Sequence, residues 1–295
     1  MSGFAAVFTG QASQFPGMGK LLYESCHRAR EVMDLAEEVL PGLRRLCFEG
    51  PARELVLTEN TQPCVLAVDI AAFHALGRTP AIAAGHSLGE YAALVAAGSL
   101  SLETALQEAV PAGTGGMVAL LRSSLQEARS LAASAERGVC DLANLNSPDQ
   151  FVLSGSIEAM EEVIEKTGAR RARLLSVSVP FHSSLLREAG ETFARRLDQV
   201  DIEDPRFPIV SNVDAEVVAS ADRIRDALER QFAGAVLWSR SIETMLDAGQ
   251  RSFIEFGPRA TLSRMVTQTA KAMEIDVKSE VVSTPEDLAR SRDAS

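Results

Sequence analysis

The 295-residue sequence predicts an α/β protein, a large domain on a parallel sheet interrupted by a smaller ferredoxin-like βαββαβ subdomain. Three observations carry that prediction. Short apolar runs at Phe4–Phe8, Ala81–Ala84 and Ser252–Phe256 read as buried strands, each leading into a glycine-bearing loop. Stretches of helical periodicity separate them. Between residues 113 and 179 the rhythm changes to strand–helix–strand–strand–helix–strand, in a span short enough to be one compact insert.

The large domain is therefore expected over 1–112 and 180–295, and the insert over 113–179. Leu21–Leu40 has helical periodicity and stops before Pro41-Gly42. A second helix is expected over Gln62–Leu76, opening with Thr61-Gln62-Pro63. The strand Ala81–Ala84, a turn at Gly85–Gly89 and a small-residue helix over Tyr91–Ala97 follow. In the insert, strands are expected at Met117–Leu121, Cys140–Leu145, Gln150–Ser154 and Arg171–Val177, with helices at Leu125–Ala135 and Glu158–Thr167. Beyond it come a strand at Phe207–Ser211, helices at Ile224–Phe232 and Ile242–Ala248, the strand Ser252–Phe256 and a last helix from Ala260. The polar tail after about Lys278 reads as frayed.

The formal charge of −11 makes duplex DNA and anionic membranes poor partners, because both would repel the chain on approach. Arg170, Arg171 and Arg173 form a local basic cluster, read either as a patch for an acidic partner or as a solvated strand edge. No stretch approaches the ~18 consecutive apolar residues of a membrane helix, and the N-terminus lacks the basic-then-apolar pattern of a signal peptide. The four cysteines, Cys26, Cys47, Cys64 and Cys140, include no CxxC pair, so neither a disulfide framework nor a zinc site is expected. A cytoplasmic, metal-free monomer is the expectation.

The strongest chemical signal is Gly85-His86-Ser87-Leu88-Gly89, a GxSxG pentapeptide set between an apolar strand and a helix. In that context the glycines permit a sharp turn that lifts the serine to its tip, the α/β-hydrolase-like nucleophile elbow. The following helix aims its N-terminal amides at the site, where they favour developing negative charge. A serine hydroxyl needs a base. Of four histidines, His27 lies in a polar helix and His74 in an apolar one, and the side chain of His86 projects away from its neighbour on the turn. His182 remains, on a loop between a strand and a helix. An ordinary α/β-hydrolase places its histidine late in the chain, whereas no histidine follows residue 182 here.

Several motifs in order then identify a family. Phe8-Thr9-Gly10-Gln11-Ala12-Ser13-Gln14, Thr61-Gln62-Pro63, Ala84 through Tyr91, Asn144-Leu145-Asn146-Ser147-Pro148, Val177 through Ser183 and Phe256-Gly257-Pro258 run nearly end to end. Together they resemble the malonyl-CoA:acyl carrier protein transacylases and the related acyltransferase domains of polyketide synthases. In the first motif Thr9 stands for the family's Pro and Ala12 for its Gly. The resemblance implies ping-pong transfer of an acyl group, malonyl first among them, from an acyl-CoA to the phosphopantetheine thiol of acyl carrier protein. It implies that Ser87 carries the acyl group and that His182 activates it, held by the backbone carbonyl of Gln231. It also implies an oxyanion hole from the amides of Gln11 and Leu88, substrate contacts by His86 and Asn146, and no cofactor beyond the coenzyme A thioester itself.

One segment departs from the family. Leu102-Glu103-Thr104-Ala105-Leu106 runs directly into Gln107-Glu108-Ala109-Val110-Pro111, so the stretch that carries the family's carboxylate-binding arginine is absent. A carboxylate in a desolvated pocket must be paired, and a forked guanidinium suits that task. Three readings follow. Arg122, Arg187 or Arg259 substitutes; the enzyme takes acetyl or another uncharged acyl group, or hydrolyses acyl groups from the carrier; or the chain is weakly active or inactive.

Overall fold

The computed structural model describes residues 3–108, 115–175, 177 and 179–293. Ten strands are formed among them: β1 (Ala5–Phe8), β2 (Ile82–Gly85), β3 (Gly116–Leu121), β4 (Cys140–Ser147), β5 (Gln150–Gly155), β6 (Ala172–Leu174), β7 (Ile209–Val210), β8 (Val217–Val218), β9 (Ser252–Phe256) and β10 (Lys278–Val282). They make two sheets. The larger has the order β10-β9-β1-β2-β7-β8, with its first five strands parallel and β8 returning antiparallel. The smaller is antiparallel, in the order β4-β5-β3-β6.

β1 lies at the centre of the large sheet and is buried on both faces, which explains its unbroken apolar run. Ala6 and Phe8 point to one layer, where the ring of Phe8 lies 5.4 Å from Phe256 and 5.7 Å from Phe73. Ala5 and Val7 point to the other, against Val236, Trp238 and Ile242. Helices therefore cover both faces of the sheet, and the long helix Thr58–Leu76 is buried almost all round.

In the smaller sheet, Leu120, Leu145 and Leu153 turn toward the helices Leu125–Ala133 and Ile157–Thr167. Its opposite face, with Met117, Ala119, Ala143 and Val152, packs against Val177 and Phe181. Backbone hydrogen bonds tie β4 to the large domain's segment ahead of the helix Trp238–Asp247, Leu145 N–H to the Val236 carbonyl at 2.9 Å and Val236 N–H to the Ala143 carbonyl at 2.8 Å. What the larger sheet shares with an α/β-hydrolase is the strand–turn–helix at Ser87. The expected junction at 112/113 lies outside the described residues.

The structure corrects several expected boundaries. The stretch expected as one helix over Leu21–Leu40 is two, Lys20–Ser25 and His27–Val39, because Cys26 takes an extended conformation (φ −127°, ψ 119°) and caps both. The helix expected from Gln62 begins at Thr58 and carries Pro63 inside it, since the ring's fixed φ is helical and its cost is a single lost hydrogen bond in a fully packed element. The helix expected as the last, from Ala260, begins at Ser263 and is followed by another.

The tail is not frayed. Lys278–Val282 is a parallel edge strand on β9, and Pro285–Asp293 is a helix. It is tied to the body of the domain, with Arg292 donating to the Ala75 carbonyl at 2.7 Å, while Arg78 donates to the Ser291 carbonyl at 3.0 Å. The strand is half-buried and polar because it lies at the sheet edge, so its composition gave no sign of pairing. Among the described residues no helix is long and apolar enough to cross a membrane.

Candidate active site

Ser87 stands where β2 ends and the helix Gly89–Ala97 begins, in the left-handed region at φ 54°. A non-glycine residue held there is strained and must be fixed by its surroundings. Two glycines make the turn possible. A Cβ on Gly85 would lie 1.8 Å from the Gly89 carbonyl oxygen, and one on Gly89 would lie 2.2 Å from that of Phe8. Backbone cannot yield at such distances, so both positions require glycine.

The rest of the fixing comes from Asn212. Its side-chain carbonyl accepts from the Ser87 N–H at 2.7 Å, and its amide nitrogen donates to the Gly85 carbonyl at 2.6 Å. Asn212 in turn donates its own N–H to Glu90 at 3.0 Å. Burial raises the Glu90 carboxyl to about 8, so it is largely protonated at neutral pH.

His182 reaches the serine from the other side of the insert. Ser87 Oγ donates to His182 Nε2 at 2.7 Å, across 95 residues of sequence. The opposite ring nitrogen, Nδ1, donates to the carbonyls of Gln231 and Gly234, each at 3.1 Å. Carbonyls only accept, so they fix the tautomer with Nε2 free to accept from the serine. Gln231 also braces the turn directly, its side-chain amide donating to the Ser87 carbonyl at 3.1 Å. Burial pushes the imidazole of His182 down to about 4, with the neighbouring His86 adding to the shift and the two carbonyls opposing it. At neutral pH the ring is therefore uncharged and able to take a proton.

The His182 loop is held by Asp141 on β4. One carboxylate oxygen accepts from Ser183 Oγ at 2.7 Å, Ser184 N–H at 2.7 Å and Ser184 Oγ at 2.8 Å. The smaller sheet thus positions the loop that carries the imidazole. Neither Asp141 nor Asn212 was singled out in the sequence, and no local signal marks them.

Ser87, Leu88 and His182 line a channel of about 500 Å³ between the two sheets, together with Gln11, His86 and Asn146. His86 Nε2 donates to Asn146 Oδ1 at 2.8 Å, a bond that bridges the nucleophile turn and β4. Burial lowers the pKa of His86, and this bond opposes the shift. The six other expected site residues, Gln231 included through its bond to the Ser87 carbonyl, thus lie around Ser87. A second, smaller cavity of about 50 Å³ adjoins the channel at Ser87 and extends toward Leu186, Leu228 and Phe232.

Among the described residues no arginine lines either cavity in place of the missing one. Arg259 is spent on the backbone carbonyls of Ser13 and Gln14, and Arg187 is exposed at the start of a helix. Arg122 lines a separate hollow with Arg170, Arg173 and Arg264, and this hollow adjoins the channel through Gln150, Thr261 and Met265. Arg171 is paired with Glu127 at 2.6 Å. Of the basic cluster, then, two members line the hollow that adjoins the channel and one is tied to a helix. Among the described residues no three His, Cys, Asp or Glu side chains gather where they could hold a metal ion.

A hydroxyl at a strained turn, an uncharged imidazole on it and a channel of about 500 Å³ beside them define a protein suited to moving acyl groups. Comparison with known proteins agrees. The acyl transferase domain family matches residues 6–287. A malonyl CoA-acyl carrier protein transacylase of Bacillus subtilis strain 168 is 41% identical over 307 aligned positions, covering 98% of this chain and 96% of that protein. An acyl-carrier-protein S-malonyltransferase from Burkholderia pseudomallei 1710b superposes with a TM-score of 0.92 at 36% identity, covering 99% of this chain and all of its own. A malonyl-transacylase in complex with a type II polyketide synthase acyl-carrier protein also superposes at 0.92, with 32% identity and full coverage of both chains. The chain belongs to the acyl transferase family, among the malonyl-CoA:acyl carrier protein transacylases, and is an enzyme of the S-malonyltransferase type. The Bacillus alignment is longer than the 295 residues here, so that relative carries positions this chain lacks.

Proposed function

We propose that this enzyme transfers a short acyl group from an acyl-CoA to the phosphopantetheine thiol of acyl carrier protein through an ester on Ser87. The relatives' names nominate malonyl as that group. The observation that carries the reading is the 2.7 Å bond from Ser87 Oγ to an imidazole of pKa about 4.

In the first half-reaction His182 Nε2 takes the serine proton as Oγ attacks the thioester carbonyl. The C–S bond to coenzyme A breaks, and the imidazolium returns its proton to the departing thiolate. The second half reverses these steps, with the carrier's thiol as nucleophile and His182 taking its proton. Both half-reactions exchange an ester with a thioester, so proton and acyl group balance without any further reagent. Leu88 N–H at the helix start and the Gln11 N–H are assigned to the oxyanion, where each donor is worth about 3–4 kcal/mol of barrier. His86 and Asn146 are assigned to the channel wall that the thioester arm passes. The arginine-lined hollow that adjoins the channel suits a carrier that brings a phosphate and an acidic surface. A cytoplasmic setting is proposed with it, in keeping with four free thiols.

One observation favours a second reading. Among the described residues no guanidinium reaches either cavity at Ser87, which suits an uncharged acyl group or hydrolysis of the acyl-enzyme by water. Intact-mass measurement after mixing with malonyl-CoA or acetyl-CoA separates these. Transfer requires an adduct absent in Ser87→Ala that passes to added carrier protein. An adduct that decays to free acid while carrier stays unloaded would contradict transfer.

A further inference from the structure

The loop 9–14 leaves the end of β1 and carries Gln11, which lines the channel beside Ser87. The side chain of Gln11 does little to place it, making one long contact of 3.5 Å to Thr58 Oγ1. The loop is held instead from either side of Gln11. Thr9 Oγ1 donates to Asp69 Oδ1 at 2.8 Å and lies 3.2 Å from Ser13 Oγ, which donates to the Gly10 carbonyl at 2.9 Å. Thr9, Ser13 and Asp69 are all fully buried. Asp69 stands within the helix Thr58–Leu76, and its Oδ2 is buried with no partner among the described residues. Burial raises its carboxyl well above the usual carboxylate range, Glu255 adds to the shift, and the bond from Thr9 opposes it. A carboxyl buried with so few donors costs stability, so its presence calls for a use.

The loop needs restraint. Ala12 sits at φ 81°, a left-handed conformation that a non-glycine residue keeps only when its surroundings enforce it. Thr9 and Ala12 are also where this loop departs from the motif it resembles, Thr for Pro and Ala for Gly. A proline ring limits the backbone by itself, whereas the threonine hydroxyl ties the loop to a partner. That partner is Asp69. The pair is closed in from a third side, because a Cβ on Gly257 would lie 2.4 Å from Thr9 Oγ1 and 2.9 Å from Asp69 Oδ1.

We infer that Asp69 is a positioning residue for the chemistry at Ser87: through Thr9 it fixes the loop 9–14 so that the Gln11 N–H meets the oxyanion. The inference rests on the acyl-enzyme and the oxyanion assignment proposed above. Asp69 lines neither cavity at Ser87, so it acts through the loop alone. Its effect falls where the oxyanion develops and not on binding of the thioester.

The test is the rate of Ser87 acylation, followed by intact mass at varied concentrations of whichever of malonyl-CoA and acetyl-CoA reacts, with Tm measured alongside. The variants are Thr9→Val, Thr9→Ser, Asp69→Leu and the double variant Thr9→Val/Asp69→Leu. Thr9→Val removes the hydroxyl at nearly constant shape and lowers the saturated rate at least about tenfold, with the half-saturating concentration within about twofold of wild type. Thr9→Ser keeps the hydroxyl and recovers most of the rate. Asp69→Leu slows acylation as Thr9→Val does, and the double variant is no slower than the slower single one, because both changes remove the same bond. A saturated rate within about twofold of wild type in folded Thr9→Val overturns the inference whatever the Tm. A double variant whose losses multiply overturns it too, as does a Thr9→Ser protein no faster than Thr9→Val. Should Asp69→Leu not fold, Thr9→Val against Thr9→Ser decides. Absence of any adduct on wild type refutes the acyl-enzyme and this inference with it, whereas an adduct formed at unchanged rates in the variants refutes this inference alone.

Discussion

The side-chain amide of Asn212 clasps the turn that carries Ser87 from both ends, accepting from the Ser87 N–H at 2.7 Å and donating to the Gly85 carbonyl at 2.6 Å. Ser87 has φ 54°, a conformation a non-glycine residue keeps only when its neighbours enforce it. The clasp therefore connects a residue just past β7 to the geometry of the nucleophile.

Asn212→Leu removes both bonds and leaves two buried backbone groups unpaired. Unfolding free energy should fall by about 1–3 kcal/mol for each group left so, as read by urea denaturation. The acylation rate should fall further than stability alone explains, because the hydroxyl is no longer held in line with the imidazole. Full activity in a folded Asn212→Leu protein would contradict the clasp.

Glu90 makes stability depend on pH. Its folded pKa of about 8 lies above the ordinary carboxyl value, so the folded state holds a proton that the unfolded chain loses at lower pH. The associated stability is fully present below the unfolded value and is lost as pH rises toward about 8. Glu90→Gln keeps an acceptor for the Asn212 N–H but cannot ionise. Its Tm should match wild type near pH 5 and exceed it near pH 9. Equal Tm values at both would show that Glu90 does not titrate in this range.

Asp141 ties the His182 loop to the smaller sheet through three bonds to one oxygen. Asp141→Ala should cost about 2–3 kcal/mol, since bonds to a charged acceptor are the stronger kind. The loop would loosen and acylation should slow about tenfold or more, with little change in the concentration of acyl-CoA needed for half-maximal rate. Asp141→Asn, which keeps an acceptor, should recover part of the rate. A variant that loses stability but no rate would make Asp141 a fold residue alone.

Much of this site was legible because its parts are local or scarce. The GxSxG turn declares itself by two glycines that leave no room for a Cβ, and four histidines make the search for a base short. The roles of Asn212, Glu90 and Asp141 were not legible, since each acts through a partner distant in sequence that no local pattern announces. The fold was legible where strands are buried on both faces, as β1 is, and illegible at the sheet edge, where β10 is polar and half-exposed. The break at Cys26 shows the same limit, because helical periodicity runs through it while tertiary packing bends the chain.

Catalysis at Ser87 depends on the proton passed from Ser87 Oγ to His182 Nε2, and the direct test is the rate of Ser87 acylation as a function of pH in wild type and His182→Ala. Burial holds the imidazole near 4, so it is uncharged above that value and protonated below. Wild-type acylation should be level through neutrality and fall with a midpoint at about 4, where the acid-side loss of fold is monitored in parallel by circular dichroism. His182→Ala should fold and be slower by at least about 10², with no such midpoint. Acylation in a folded His182→Ala protein at the wild-type rate would contradict the account.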